Sequence, residues 1–123
     1  MTTAPEPPHV PGVSQPAARP EELRATLTRM APDAVATFDA ERAEAVARAR
    51  QEVSAAPMRR FLRQWALYVA IERHPEQAAR LRLLEAMAAK VTDLEEARAI
   101  AAEIGQILDK AAAEAGLPHG GES

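Results

Sequence analysis

The stretch Met58-Arg-Arg-Phe-Leu-Arg-Gln-Trp-Ala-Leu-Tyr-Val-Ala-Ile71 constrains this chain more than any other. It holds the only Trp, the only Tyr and one of the two Phe residues. Wound as a helix at about 100° per residue, it puts Met58, Phe61, Leu62, Trp65, Tyr68 and Val69 on one broad stripe. Leu67 and Ile71 fall on the opposite side, beside Arg60 and Arg63. A helix apolar on two sides belongs at the centre of a fold, meeting its own domain with one side and something else with the other. The remaining segments are expected to pack around it.

Those segments read as helices with short joints. Pro20-Glu21-Glu22 places Pro at a first helical position and acids at the positive end of the helix dipole, opening a short helix whose inner face is Leu23, Leu27 and Met30. Pro32 breaks it. A second helix is predicted from about Asp33 to Val53, with Val35, Phe38, Ala45, Val46, Ala49 and Val53 as its stripe. Arg42 interrupts that stripe; its stem is expected to lie on the core with its guanidinium reaching water, the alternative being a buried ion pair. Ser54 and Pro57 restart the chain into the central helix, which ends near His74. Pro75 opens a fourth segment to about Lys90, with Leu81, Leu84, Ala88 and Val91 as its stripe. Leu83 and Met87 widen that stripe past what one contact needs. Thr92-Asp93-Leu94-Glu95 has a capping-box pattern with Thr92 at the cap. The helix it opens is predicted from Asp93 to Ala115, roughly 35 Å long at the usual rise. Its stripe runs Leu94, Ala97, Ala101, Ile104, Leu108, Ala111 and Ala115, broadened by Ile100 and Ile107. Gly116-Leu117-Pro118 stops it.

The expected fold is therefore all-α: an up-and-down bundle of four main helices plus a short leading helix, spanning residues 20–117. Residues 1–19 are Pro-rich with almost no large apolar groups, the composition of a disordered tail. Residues 118–123 read as a flexible C-terminal tail. Ala supplies much of the 47% hydrophobic content and aromatics only 3%, so a few large side chains must carry the core. Strand-like alternation is missing throughout.

Composition also narrows function. The absence of Cys removes disulfides, thiolate metal sites and cysteine nucleophiles. No signal-peptide pattern and no apolar run of membrane-spanning length is found, which predicts a cytoplasmic protein with no membrane partner. His9, His74 and His119 stand too far apart for a helical metal pair, and Gly-rich phosphate loops, nucleophile elbows and Glu-x-x-His pairs are missing. No catalysis, cofactor, metal or small-molecule substrate is therefore expected. Charge is more informative. Residues 58–82 hold six arginines (Arg59, Arg60, Arg63, Arg73, Arg80, Arg82) against Glu72 and Glu76, a net +4 by count. Residues 91–123 hold seven acids against Arg98 and Lys110, a net −5. Arginine mixed with Leu67, Tyr68 and Ile71 is the blend found in interface cores. The expected partner surface is Arg60, Arg63, Leu67 and Ile71, extended by Leu83 and Met87, and the partner is another protein or a second copy. The alternative is a nucleic-acid contact through Arg59, Arg60 and Arg63. An overall charge of −3 and the two lysines of the chain argue against that. In a third reading these arginines pair with acids of the second and last helices and only solvate the fold.

The run Leu23-x-x-x-Leu27, Phe38-Asp39-x-Glu41, Ala45 and Ala49, then Met58-x-x-Phe61-Leu62-x-x-Trp65 resembles a family of small actinobacterial all-helical proteins of unknown function. Some members are encoded beside RelE-type toxins. The resemblance covers about residues 20–75, and its motif residues are of core type. It implies an antitoxin-like, non-enzymatic role in binding a partner, with the Pro-rich tail as one arm.

Overall fold

In the computed structural model, residues 13–117 are described, and they form five α-helices: α1 (Pro20–Met30), α2 (Val35–Glu52), α3 (Ala56–Glu72), α4 (Pro75–Lys90) and α5 (Leu94–Glu114). A single 3₁₀ turn, Pro32–Ala34, joins α1 to α2. The all-α class and the helix order follow the sequence expectation. None of these helices is long and apolar enough to cross a membrane. His9 and His119, with most of the expected N-terminal tail and all of residues 118–123, lie outside the described residues.

The helices do not close into one ring. Helix α3 approaches all four others, whereas α1 and α2 approach neither α4 nor α5 among the described residues. Two cores result, one on each side of α3. The first gathers Leu23 and Leu27 from α1, Phe38 and Ala45 from α2, and Phe61, Trp65 and Val69 from α3. The second gathers Ala70 and Ile71 from α3, Ala78, Leu81 and Leu84 from α4, and Ile100, Ile107 and Ala111 from α5. Fully buried Leu23, Leu27, Phe38, Val69 and Leu84 each stabilise the fold by about 1.5–3 kcal/mol.

An aromatic cluster fixes the first core. The Trp65 ring meets Phe38 edge-on with centroids 5.3 Å apart and Tyr68 at 5.1 Å, and Phe38 lies 5.0 Å from Phe61. The indole Nε1–H donates to the Glu41 carboxylate at 2.9 Å, so the polar edge of a buried ring is satisfied. Burial and the neighbouring Glu72 raise the pKa of the Tyr68 hydroxyl. Arg24 crosses from α1 to α2 with two 2.9 Å bonds to Asp39. Arg42 reaches Glu21 at 3.3 Å with its guanidinium near the surface, as its place in the stripe predicts.

Several boundaries differ from the sequence expectation. Val53 is not part of the α2 stripe: it is 90% exposed and ends the helix in a left-handed conformation, φ 49°. Its N–H and that of Ser54 turn back to Arg50 O and Ala49 O, the 5→2 and 6→1 bonds of a left-handed helix end. The same pair of bonds closes α5 at Gly116, φ 71°, where Gly was expected. The cap of α5 is Asp93, not Thr92; its carboxylate accepts from the Glu96 N–H at 2.9 Å, one residue on from the anticipated box. The inner face of α5 is Ile100, Ile107, Ala111 and Ala112, while Leu94 is 63% exposed and Ile104 and Leu108 are half-buried. Burying the isoleucines between α3 and α4 rotates the stripe away from the one that alternates most regularly.

The chain before α1 also departs from expectation. Residues 13–17 have no regular secondary structure but are held against the end of α3, so the domain starts ahead of residue 20. The Gln15 amide donates to Ala66 O at 3.1 Å, and Arg73 Nη1 donates to Val13 O at 3.2 Å. Arg73 also reaches Glu114 at 3.3 Å, and the same carboxylate lies 3.0 Å from His74 Nε2. One arginine at the end of α3 thus ties down both the leading segment and the end of α5.

Candidate docking surface

Only the last two turns of α3 supply side chains to the second core, through Leu67, Ala70 and Ile71. The α4–α5 hairpin is longer than that contact. Beyond Leu84 no residue of α4 is buried, and before Ile100 no residue of α5 is. The far half of the hairpin is thus a two-helix arm with no third layer among the described residues.

That geometry sorts the expected partner residues. Ile71 is 8% exposed and belongs to the second core, and Leu67 packs half-buried against it. The second apolar side of α3 is real, but α4 and α5 cover it. Ile71 and Leu67 are therefore removed from the partner surface. Leu83 and Met87 are 51% and 42% exposed. They stand one turn apart on the side of α4 turned away from the buried Leu81 and Ala78.

Beside Met87 lies an open groove of about 490 Å³ between α4 and α5. Leu84, Met87 and Val91 line its α4 side and Ala99 and Ile100 its α5 side. The rims carry opposite charge: Arg80 and Lys90 on α4, Glu96 and Glu103 on α5. Arg80 and Glu103 are joined across the groove by two 2.7 Å bonds. Those bonds lower the pKa of the Glu103 carboxyl and raise that of Arg80. Lys90 and Glu96 form no ion pair among the described residues. Leu84 and Ile100 extend the core to the groove floor; the charged rims and two exposed apolar side chains make this face wettable yet adhesive.

The arginine run divides in two. Arg73, Arg80 and Arg82 pair with Glu114, Glu103 and Glu72, the first two across to α5 as the solvating reading predicts. Arg59 and Arg60 are exposed, Arg63 is half-buried, and none of the three has an ion pair among the described residues. Arg60 lines a smaller groove of about 240 Å³ between α2 and α3, facing Glu41 and Glu44. Neither Arg60 nor Arg63 lines the α4–α5 groove. Of the expected six residues, Ile71 and Leu67 thus go to the second core, while Arg60 and Met87 line different grooves.

Sequence reasoning missed the groove because Ala99 and Glu96 look like ordinary solvent positions. The usable signal was the excess width of the α4 stripe. Among the described residues no cluster of three or more His, Asp or Glu side chains is arranged to hold a metal ion. Comparison of the chain with protein-family models, with curated proteins and with solved structures finds no match in any of the three.

Proposed function

We propose that this chain is a cytoplasmic, non-enzymatic protein-binding module that docks its partner on the outer face of the α4–α5 hairpin. The observation that carries the reading is the apolar groove flanked by exposed Leu83 and Met87 on an arm that no other helix covers among the described residues. Apolar side chains with a charged rim are the make-up of a docking surface, and unbranched Met adapts to a range of partner shapes. An antitoxin-like role, implied by the resemblance over residues 20–75, is one form of this reading, although the α1–α3 layer carries that resemblance and the hairpin lies outside it.

The test is cross-linking capture in an extract of the source cells, comparing the native chain with Leu83→Glu/Met87→Glu. The double variant should keep its helical circular dichroism and lose roughly tenfold or more of whatever protein is captured, its own copy included. Undiminished capture by the folded double variant would remove the function from this face.

A nucleic-acid reading is kept for one observation, the freedom of Arg59, Arg60 and Arg63 from ion pairs among the described residues. Phosphate binding at that cluster would weaken steeply between about 50 and about 200 mM salt, whereas docking at the hairpin would change little.

A further inference from the structure

We infer that the occupant of the hairpin groove is a second copy of this chain, seated about a two-fold axis that runs along the groove. The inference rests on the docking function proposed above and adds the identity and geometry of the partner.

Charge selects the arrangement. Two hairpins meeting face to face by two-fold symmetry have two simple choices. With the axis across the helices, α4 lies on the partner's α4 and the basic rims, Arg80 and Lys90, oppose each other. With the axis along the helices, α4 lies antiparallel on the partner's α5, and each basic rim meets an acidic one. Only the second is attractive. It also keeps every residue at its own height along the arm. Lys90 of one copy then comes opposite Glu96 of the other, twice per dimer. Arg80 and Glu103 stay engaged within each copy, bracing the hairpin.

Size fits the same arrangement. The protruding side chains, Leu83 and Met87, are on α4, and within about one turn of their height, counted from the Arg80–Glu103 pair, α5 carries the exposed Ala99 and Ala102. Large residues on one helix thus meet small ones on its partner, the condition for knobs entering holes. The other arrangement would set Leu83 and Met87 against themselves and leave the alanines facing alanines. The result is a four-helix arm in which each copy covers the other's groove. The face measures about 20 Å by about 20 Å at ordinary helix dimensions, small among specific interfaces, so the dimer should have a micromolar dissociation constant.

Sedimentation velocity of the full chain across about 1–500 μM tests this, with Lys90→Glu, Glu96→Lys and an equimolar mixture of the two variants. The native chain should be monomer at the bottom of the range and dimer at the top. Each single variant should raise the dimer dissociation constant roughly tenfold, because both copies of the contact turn repulsive. Mixing them should restore association to within about twofold. In the mixed dimer one contact pairs the introduced glutamate with the introduced lysine, and the other pairs the native Lys90 with the native Glu96. A native chain that stays monomeric at the highest concentration overturns the inference. If hairpin-dependent capture of a different protein persists in that case, the docking function stands without self-association. A dimer that Lys90→Glu strengthens, or that mixing fails to rescue, overturns the geometry.

Discussion

Val53 holds a backbone conformation that a β-branched side chain resists. At φ 49° and ψ 54°, with its side chain in solvent, it occupies the place Gly116 fills at the end of α5. The left-handed conformation costs an L-residue about 1–2 kcal/mol, part of which a glycine gives back through its freer unfolded chain. Val53→Gly is therefore expected to stabilise the protein by about 0.5–1 kcal/mol, read as a higher urea midpoint at unchanged slope. Trp65 is the opposite case. Its ring packs on Phe38 and Tyr68 and its N–H donates to Glu41, so Trp65→Ala should cost about 3–5 kcal/mol, a large part of the roughly 5–15 a domain has. Because Trp65 is the only tryptophan, circular dichroism rather than fluorescence should follow that unfolding.

Between elements, two bidentate arginine pairs act as pH-sensitive fastenings: Arg24–Asp39 joins α1 to α2, and Arg80–Glu103 joins α4 to α5. Hydrogen bonds from the arginines lower the pKa of both carboxyls. A depressed native pKa means the pairs contribute fully above the ordinary carboxylate value of about 4 and are lost as the pH falls through the depressed one. The thermal midpoint of the native chain should accordingly fall more steeply from about pH 5 to about pH 3 than that of Asp39→Asn/Glu103→Gln, and added salt should narrow the difference because both pairs are exposed. These pairings are a kind of information that periodicity does not carry. Helix positions were legible because Pro20, Pro32, Pro57, Pro75 and Gly116 punctuate the chain, and the two-sided nature of α3 was legible in Trp65 against Ile71. What covers the second side was not, since Leu67 and Ile71 have the same pattern whether a partner or α5 lies over them. The α5 stripe misled because Ala97 and Ala101 keep perfect spacing yet bury little, whereas the larger Ile100 and Ile107 decide the rotation. The groove depends on how α4 and α5 lie side by side, which no local pattern encodes.

At the scale of the whole molecule, α3 is the only element common to both cores, and no helix of one flank approaches a helix of the other among the described residues. Free energies of substitution should follow the same partition. Leu27→Val and Ile107→Val, one in each core, are each expected to cost about 1 kcal/mol. In combination they should add with a coupling below about 0.5 kcal/mol, measured by a double-mutant cycle in urea. Ile71→Val with Ile107→Val, inside one core, should depart from additivity by more than that. A compensating change that links the flanks must then pass through the seventeen residues of α3 or the joint beside it, where Ala115 packs against both cores and Arg73 ties Val13 to Glu114.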